Sequence, residues 1–139
     1  MKQSVSQERL PICTVEIGKD ETSFRHIDEV VDYLKRCIEG EPLARFIAIY
    51  DHYAHTMSLP GGVVAEGILA AKNLVFCFGI TLPSPEAMAL RPRAIGVCEL
   101  ADRFVVSFTE PPMPVANLAM EKWASLVCDR EPAVSEAEG

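Results

Sequence analysis

Five short segments of this chain carry the two-residue period of a β-strand, and only two stretches carry a helical period long enough to cover them. Residues 12–17 put Cys13, Val15 and Ile17 on one side and Thr14 and Glu16 on the other, the pattern of a half-buried strand. Ile27, Val30, Val31, Leu34 and Ile38 follow at helical spacing. Asp28 and Glu29 lie early in that stretch, Lys35 and Arg36 late, and Gly40 stands as a stop, a charge order that complements the helix macrodipole. Arg45–Asp51 is apolar toward both sides, which predicts a central strand or one covered on both faces. Residues 65–71 read as a weak helical turn and residues 73–80 as a third strand. Ser84-Pro85-Glu86 has the form of a helix start, cut short by Pro92. Residues 94–100 and Arg103–Thr109 form a hairpin around Ala101-Asp102. After the proline-rich spacer 111–114, Val115, Leu118, Ala119, Trp123 and Leu126 mark one face of a last helix.

Strand, helix, four strands, helix predicts an α+β fold: a two-layer sandwich with a five-stranded, mainly antiparallel sheet and two main helices on one face. The expected organisation is a flexible N-terminus at 1–8, a single domain at 9–128 and an acidic, disordered tail at 129–139. A chain of 139 residues leaves no room for a second domain, and its 49% hydrophobic content excludes disorder throughout. Trp123 is expected in the core.

Partners are bounded by charge and hydropathy. A formal charge of −7 argues against nucleic acid, because phosphate backbones repel such a surface. No apolar run is long enough to span a bilayer and no leader-like stretch opens the chain, so no membrane partner is expected and the expected location is the cytoplasm. The apolar residues of segments 46–50 and 74–78 call for cover on the second sheet face. A homodimer is the simplest cover, and a binding surface is another.

Asp51-His52-Tyr53-Ala54-His55 is the densest polar cluster. If the chain turns helical after Asp51, His52 and His55 stand at i, i+3 and can converge on one ligand; if the strand continues, they point apart. The alternative is that both histidines cap the strand end through hydrogen bonds. His52 and His55 are the candidate metal ligands, although two nitrogens fall short of a closed site. Arg91-Pro92-Arg93 could anchor a small anionic ligand, or supply an arginine to an ion pair with Asp51 or Glu110. Gly61-Gly62 lacks the surroundings of a phosphate loop and reads as a turn. Cys13, Cys37, Cys77, Cys98 and Cys128 contain no Cys-x-x-Cys pair and read as small buried residues, with Cys77 and Cys98 in the core.

The strand end Ile49-Tyr50-Asp51-His52-Tyr53-Ala54-His55, the run Leu74-Val75-Phe76-Cys77-Phe78-Gly79 and the closing Phe108-Thr109-Glu110-Pro111 together resemble an uncharacterised bacterial domain family, the domain of unknown function numbered three hundred and two. That family similarly has an isoleucine-aspartate-histidine strand end, an apolar strand ending in phenylalanine-glycine, and a last strand followed by proline. The resemblance runs roughly from residue 22 to residue 123 and implies a strand-helix-four-strand-helix fold. This chain departs where the family has asparagine-proline after phenylalanine-glycine, since Ile80-Thr81-Leu82-Pro83 follow Gly79 here. The family carries no established activity, so the resemblance implies fold alone.

The functional expectation is a small non-enzymatic ligand-binding or interaction module acting as a homodimer, with no cofactor and with Asp51, His52, Tyr53, His55, Arg91 and Arg93 as candidate ligand residues. The alternative is an enzyme or metal-dependent site built on Asp51, His52 and His55, with an arginine holding an anionic ligand.

Overall fold

The computed structural model describes residues 1–6, 10–110 and 114–128. The expected tail at 129–139 and most of the proline spacer lie outside the described residues. The element order is β1 (Ile12–Gly18), α1 (Ile27–Glu39), β2 (Arg45–Asp51), α2 (His52–Ser58), β3 (Ala70–Cys77), a 3-10 turn (Pro85–Leu90), β4 (Arg93–Glu99), β5 (Arg103–Thr109) and α3 (Pro114–Ser125). All strands pair antiparallel in one sheet of order β1-β5-β4-β3-β2. The expected α+β architecture is therefore the observed one.

Helix α1 carries the chain from one edge of the sheet to the other. Thirteen residues at 1.5 Å each give about 20 Å. Four inter-strand spacings of about 4.8 Å give about 19 Å, so the helix is as long as the sheet is wide. Its start is fixed by a capping box in which His26 accepts from the Asp28 N–H and the Glu29 carboxylate accepts from the His26 N–H. A second anchor is deeper. The Glu99 carboxylate, 8% exposed, accepts the Ile27 N–H at 2.8 Å and meets the Lys19 ammonium at 2.9 Å. Burial alone would push this carboxyl up, but those donors outweigh it and hold it below its ordinary value.

The core lies between the helices and one sheet face. Ile27, Val30, Val31, Leu34 and Ile38 of α1 meet Leu74 and Phe76 of β3, Ile95 and Val97 of β4, and Phe104, Val106 and Phe108 of β5. Trp123 of α3 is buried as expected, stacked on Phe78 at 6.0 Å and edge-on to Phe76 at 6.1 Å.

Four expectations change. The last helix turns Ala116, Met120, Trp123 and Ala124 to the core, with Val127 just beyond it, so Leu118 and Leu126, expected on the same face as Trp123, are exposed instead. Strand β2 is an edge strand, not a central or covered one: Ile47 is 54% and Ile49 40% exposed, and a bulge interrupts its pairing between Phe46 and Ala48. The turn expected at 65–71 shrinks to a bend closed by the Ile68 N–H on the Ala65 carbonyl, and β3 begins at Ala70. The cysteines are all half-buried instead of buried, and Cys77 and Cys98 lie on the sheet face away from the main helices, opposite Arg45 and Val105.

Candidate functional site

Where one sheet face carries the core, the other is built from the alternate residues. The pairing registers place five of these in a single cross-strand row: Tyr50 opposite Asn73, Asn73 opposite Gly96, Gly96 opposite Ser107, and Ser107 opposite Thr14. The row has a hydroxyl or amide on every strand except the middle one, where glycine leaves a floor without a side chain. A Cβ at Gly96 would stand 3.6 Å from Asn73 Nδ2 and 3.6 Å from Ser107 Oγ, ordinary contact distances. The space above Gly96 is therefore open because glycine is there, and neither the backbone nor a close neighbour demands it.

The 3-10 turn supplies a wall for this floor. Ser84 caps it by accepting the Ala87 N–H at 3.2 Å, Pro85 opens it, and the Arg91 N–H closes it on the Met88 carbonyl. The short helix start expected at Ser84 is the one observed. Leu90, Pro92 and Ala94 on one side and Leu10 and Ile12 on the other enclose a groove of about 380 Å³ over Asn73, Gly96 and Ser107. Its floor is polar and uncharged, and its walls are mostly apolar, with Arg93 and Thr109 at the border.

The histidine cluster adjoins the Tyr50 end of this row. The chain does turn helical at once after β2. Asp51 Oδ1 accepts the Ala54 N–H at 2.9 Å and so caps α2. The helix ends where Leu59 and Gly62 fold back, and a Cβ at Gly62 would stand 1.9 Å from the Thr56 carbonyl oxygen, so only glycine fits this turn. The i, i+3 spacing puts the rings of His52 and His55 5.6 Å apart. Tyr50 joins them, 5.9 Å from His52 and 5.5 Å from His55, with its hydroxyl hydrogen-bonded to His55 Nδ1. His52 Nδ1 pairs with the Thr56 hydroxyl at 3.2 Å. Both imidazoles are exposed and Tyr53 is half-buried. Asp51 is engaged as the helix cap, and among the described residues no third histidine, cysteine, aspartate or glutamate donor joins the pair.

The arginines stand elsewhere. Arg93 pairs with Phe76 and Asp51 with Lys72, four residues apart along β3, or about 13 Å. Histidines and arginines are thus at opposite ends of the sheet and do not surround one concavity. Arg93 borders the groove, but its guanidinium lies 6.0 Å from the Phe78 ring on the helix-covered side, where burial pulls its pKa down. Arg91 is half-buried, just ahead of a cis bond to Pro92.

Sequence reasoning named Tyr53 and the arginines and missed Tyr50, Asn73, Gly96, Ser107 and Thr14. One signal was present: an isolated glycine inside a strand marks a place where something approaches the backbone closely.

The groove lies on the free face of a two-layer α+β domain with a five-stranded antiparallel sheet. The chain belongs to the family of unknown function DUF6858, which matches residues 1–129. It is similar to a solved structure, the uncharacterized conserved protein DUF302 from Bacillus stearothermophilus, at 15% identity and a TM-score of 0.49, over 84% of this chain and 88% of that one. This is the family that the strand-end motifs resemble. No curated protein matches the chain. Among the described residues no helix is long and apolar enough to cross a membrane.

Proposed function

We propose that this protein is a small non-enzymatic ligand-binding module that works as a homodimer and takes a small, uncharged, polar organic molecule in the groove above Gly96. The observation that carries the reading is the polar row with a glycine at its centre, walled mostly by apolar residues. Asn73 and Ser107 offer both donors and acceptors, and Leu10, Ile12 and Leu90 offer apolar contact. A volume of about 380 Å³ suits a small molecule and not a peptide. An anionic ligand has less support, because the Arg93 guanidinium stands 6.0 Å from the Phe78 ring on the helix-covered side.

The homodimer rests on the exposed apolar side chains of the edge strand, Ile47 and Ile49, with Met57 and Leu59 beyond them. Light scattering at micromolar concentration should then give about twice the 15.3 kDa chain mass. A monomer at that concentration removes this part of the reading and leaves the groove intact.

A second reading draws on the Tyr50–His55 hydrogen bond at the end of the row. A phenol and an imidazole in contact can relay a proton, which would make the groove a reaction site on the enzyme alternative. Titration of a bound molecule by NMR separates the two. A module keeps its ligand unchanged, whereas an enzyme converts it in a manner that His55→Ala abolishes.

The binding claim is tested by titrating a set of small amides and alcohols into isotope-labelled protein. The expected shifts centre on Asn73, Gly96 and Ser107. Shifts centred on α1 or α3, or none at millimolar concentration, would refute the reading.

A further inference from the structure

The groove and the histidines leave one chemically distinctive cluster unused. Cys13, Glu110 and Glu121 come from three elements, β1, the residue after β5, and α3, and their Sγ and carboxylate oxygens all lie within 4.8 Å of one another. Each is half-buried. The fold brings them together through rigid parts. Cys13 pairs with Phe108 on the helix-covered face of the sheet. The Glu110 N–H donates to the Pro11 carbonyl at 2.9 Å, clamping the end of β5 against the start of β1. Glu121 follows Met120, which is 1% exposed, so the core fixes the helix on either side of it.

We propose that Cys13, Glu110 and Glu121 form a binding site for one divalent transition-metal ion. Two carboxylates side by side repel each other, and among the described residues no lysine, arginine or histidine lies within ion-pair distance of either. A cation between them would remove that repulsion. Its class follows from the donors. A thiolate among the ligands selects zinc, iron(II) or cobalt(II) over magnesium or calcium, which take oxygen alone. Tetrahedral ligands at the usual 2.3 Å for sulfur and about 2.1 Å for oxygen sit about 3.6 Å apart. The donors therefore close in by at most about 1.2 Å on binding, within reach of glutamate side-chain rotation. Three protein ligands leave a fourth position for water or an exogenous ligand. On coordination the Cys13 thiol gives up its proton to solvent.

Cobalt(II) titrated into the whole, tag-free chain tests the site, because a cobalt–thiolate bond has its own charge-transfer absorption. The expected result is one cobalt per chain with that band, displaced by one equivalent of zinc. Cys13→Ser should abolish the band. Glu110→Gln and Glu121→Gln should each weaken binding by at least the ~10-fold that loss of a supporting partner costs, while the His52→Ala, His55→Ala double variant binds as the parent does. Wild type without the band, a band surviving in Cys13→Ser, or a band lost with the two histidines would overturn the proposal. Circular dichroism of the metal-free variants establishes that each is folded, and the two glutamine variants decide the matter should Cys13→Ser fail to fold.

Discussion

Replacing Gly96 by valine separates the two roles a strand glycine can have. A glycine inside a strand costs about 0.5–1 kcal/mol relative to a residue with a Cβ, through backbone entropy and missing packing. It is retained where its φ is positive, where a neighbour sits too close, or where the space must stay empty. Gly96 is not among the glycines of positive φ, and the nearest atoms to its Cβ position are 3.6 Å away. The first two reasons are therefore excluded, and Gly96→Val should stabilise the fold by roughly the 0.5–1 kcal/mol that glycine costs. For a chain of this size that raises the thermal midpoint by about 2–4 °C. The valine methyl groups would occupy the middle of the groove of about 380 Å³ and displace any molecule resting on Asn73 and Ser107. Affinity for the best amide or alcohol should fall at least tenfold, about 1.4 kcal/mol. Calorimetric melting and a titration on the same preparation read both quantities. A midpoint that falls by several degrees would mean that the backbone requires the glycine. Binding that survives the substitution would mean that the ligand sits elsewhere.

Trp123→Ala removes a ring 8% exposed and stacked on Phe78, so it should cost about 3–5 kcal/mol and lower the midpoint by on the order of 10 °C; native tryptophan emission at the wavelength of water-exposed indole would contradict that placement. Glu99 has a folded pKa held below its ordinary 4.5, so the stabilisation it gives is fully present above about that pH and fades as pH falls through the lower folded value. Glu99→Gln should cost about 1.5–3 kcal/mol at neutral pH and flatten the loss of stability in acid; an unchanged acid transition would refute the role of the Lys19–Glu99–Ile27 junction.

The parts of the fold legible in the sequence are those where burial imposes one period. The alternation of Cys13, Val15 and Ile17, the α1 stripe from Ile27 to Ile38, and the hairpin around Ala101-Asp102 each state their own structure. β2 misled because Ile47 and Ile49 are apolar without being buried, and a strand pattern does not tell an edge from a centre. The i, i+3 pairing of His52 and His55 depended on α2, a seven-residue helix with no buried side chain, and its apolar pattern is correspondingly faint. The groove was hidden for another reason. Thr14, Tyr50, Asn73, Gly96 and Ser107 become neighbours only through four pairing registers, and register follows from tertiary packing as much as from local sequence. The same holds for Cys13, Glu110 and Glu121, which share no local pattern.

The most direct measurement is a crystal structure of the protein with the tightest-binding amide or alcohol. The account predicts that molecule above Gly96, its polar edge within about 2.7–3.2 Å of Asn73 and Ser107 and its apolar flank against Leu10, Ile12 and Leu90. The molecule bound at any other surface, or the groove filled by residues of a second copy, would contradict it.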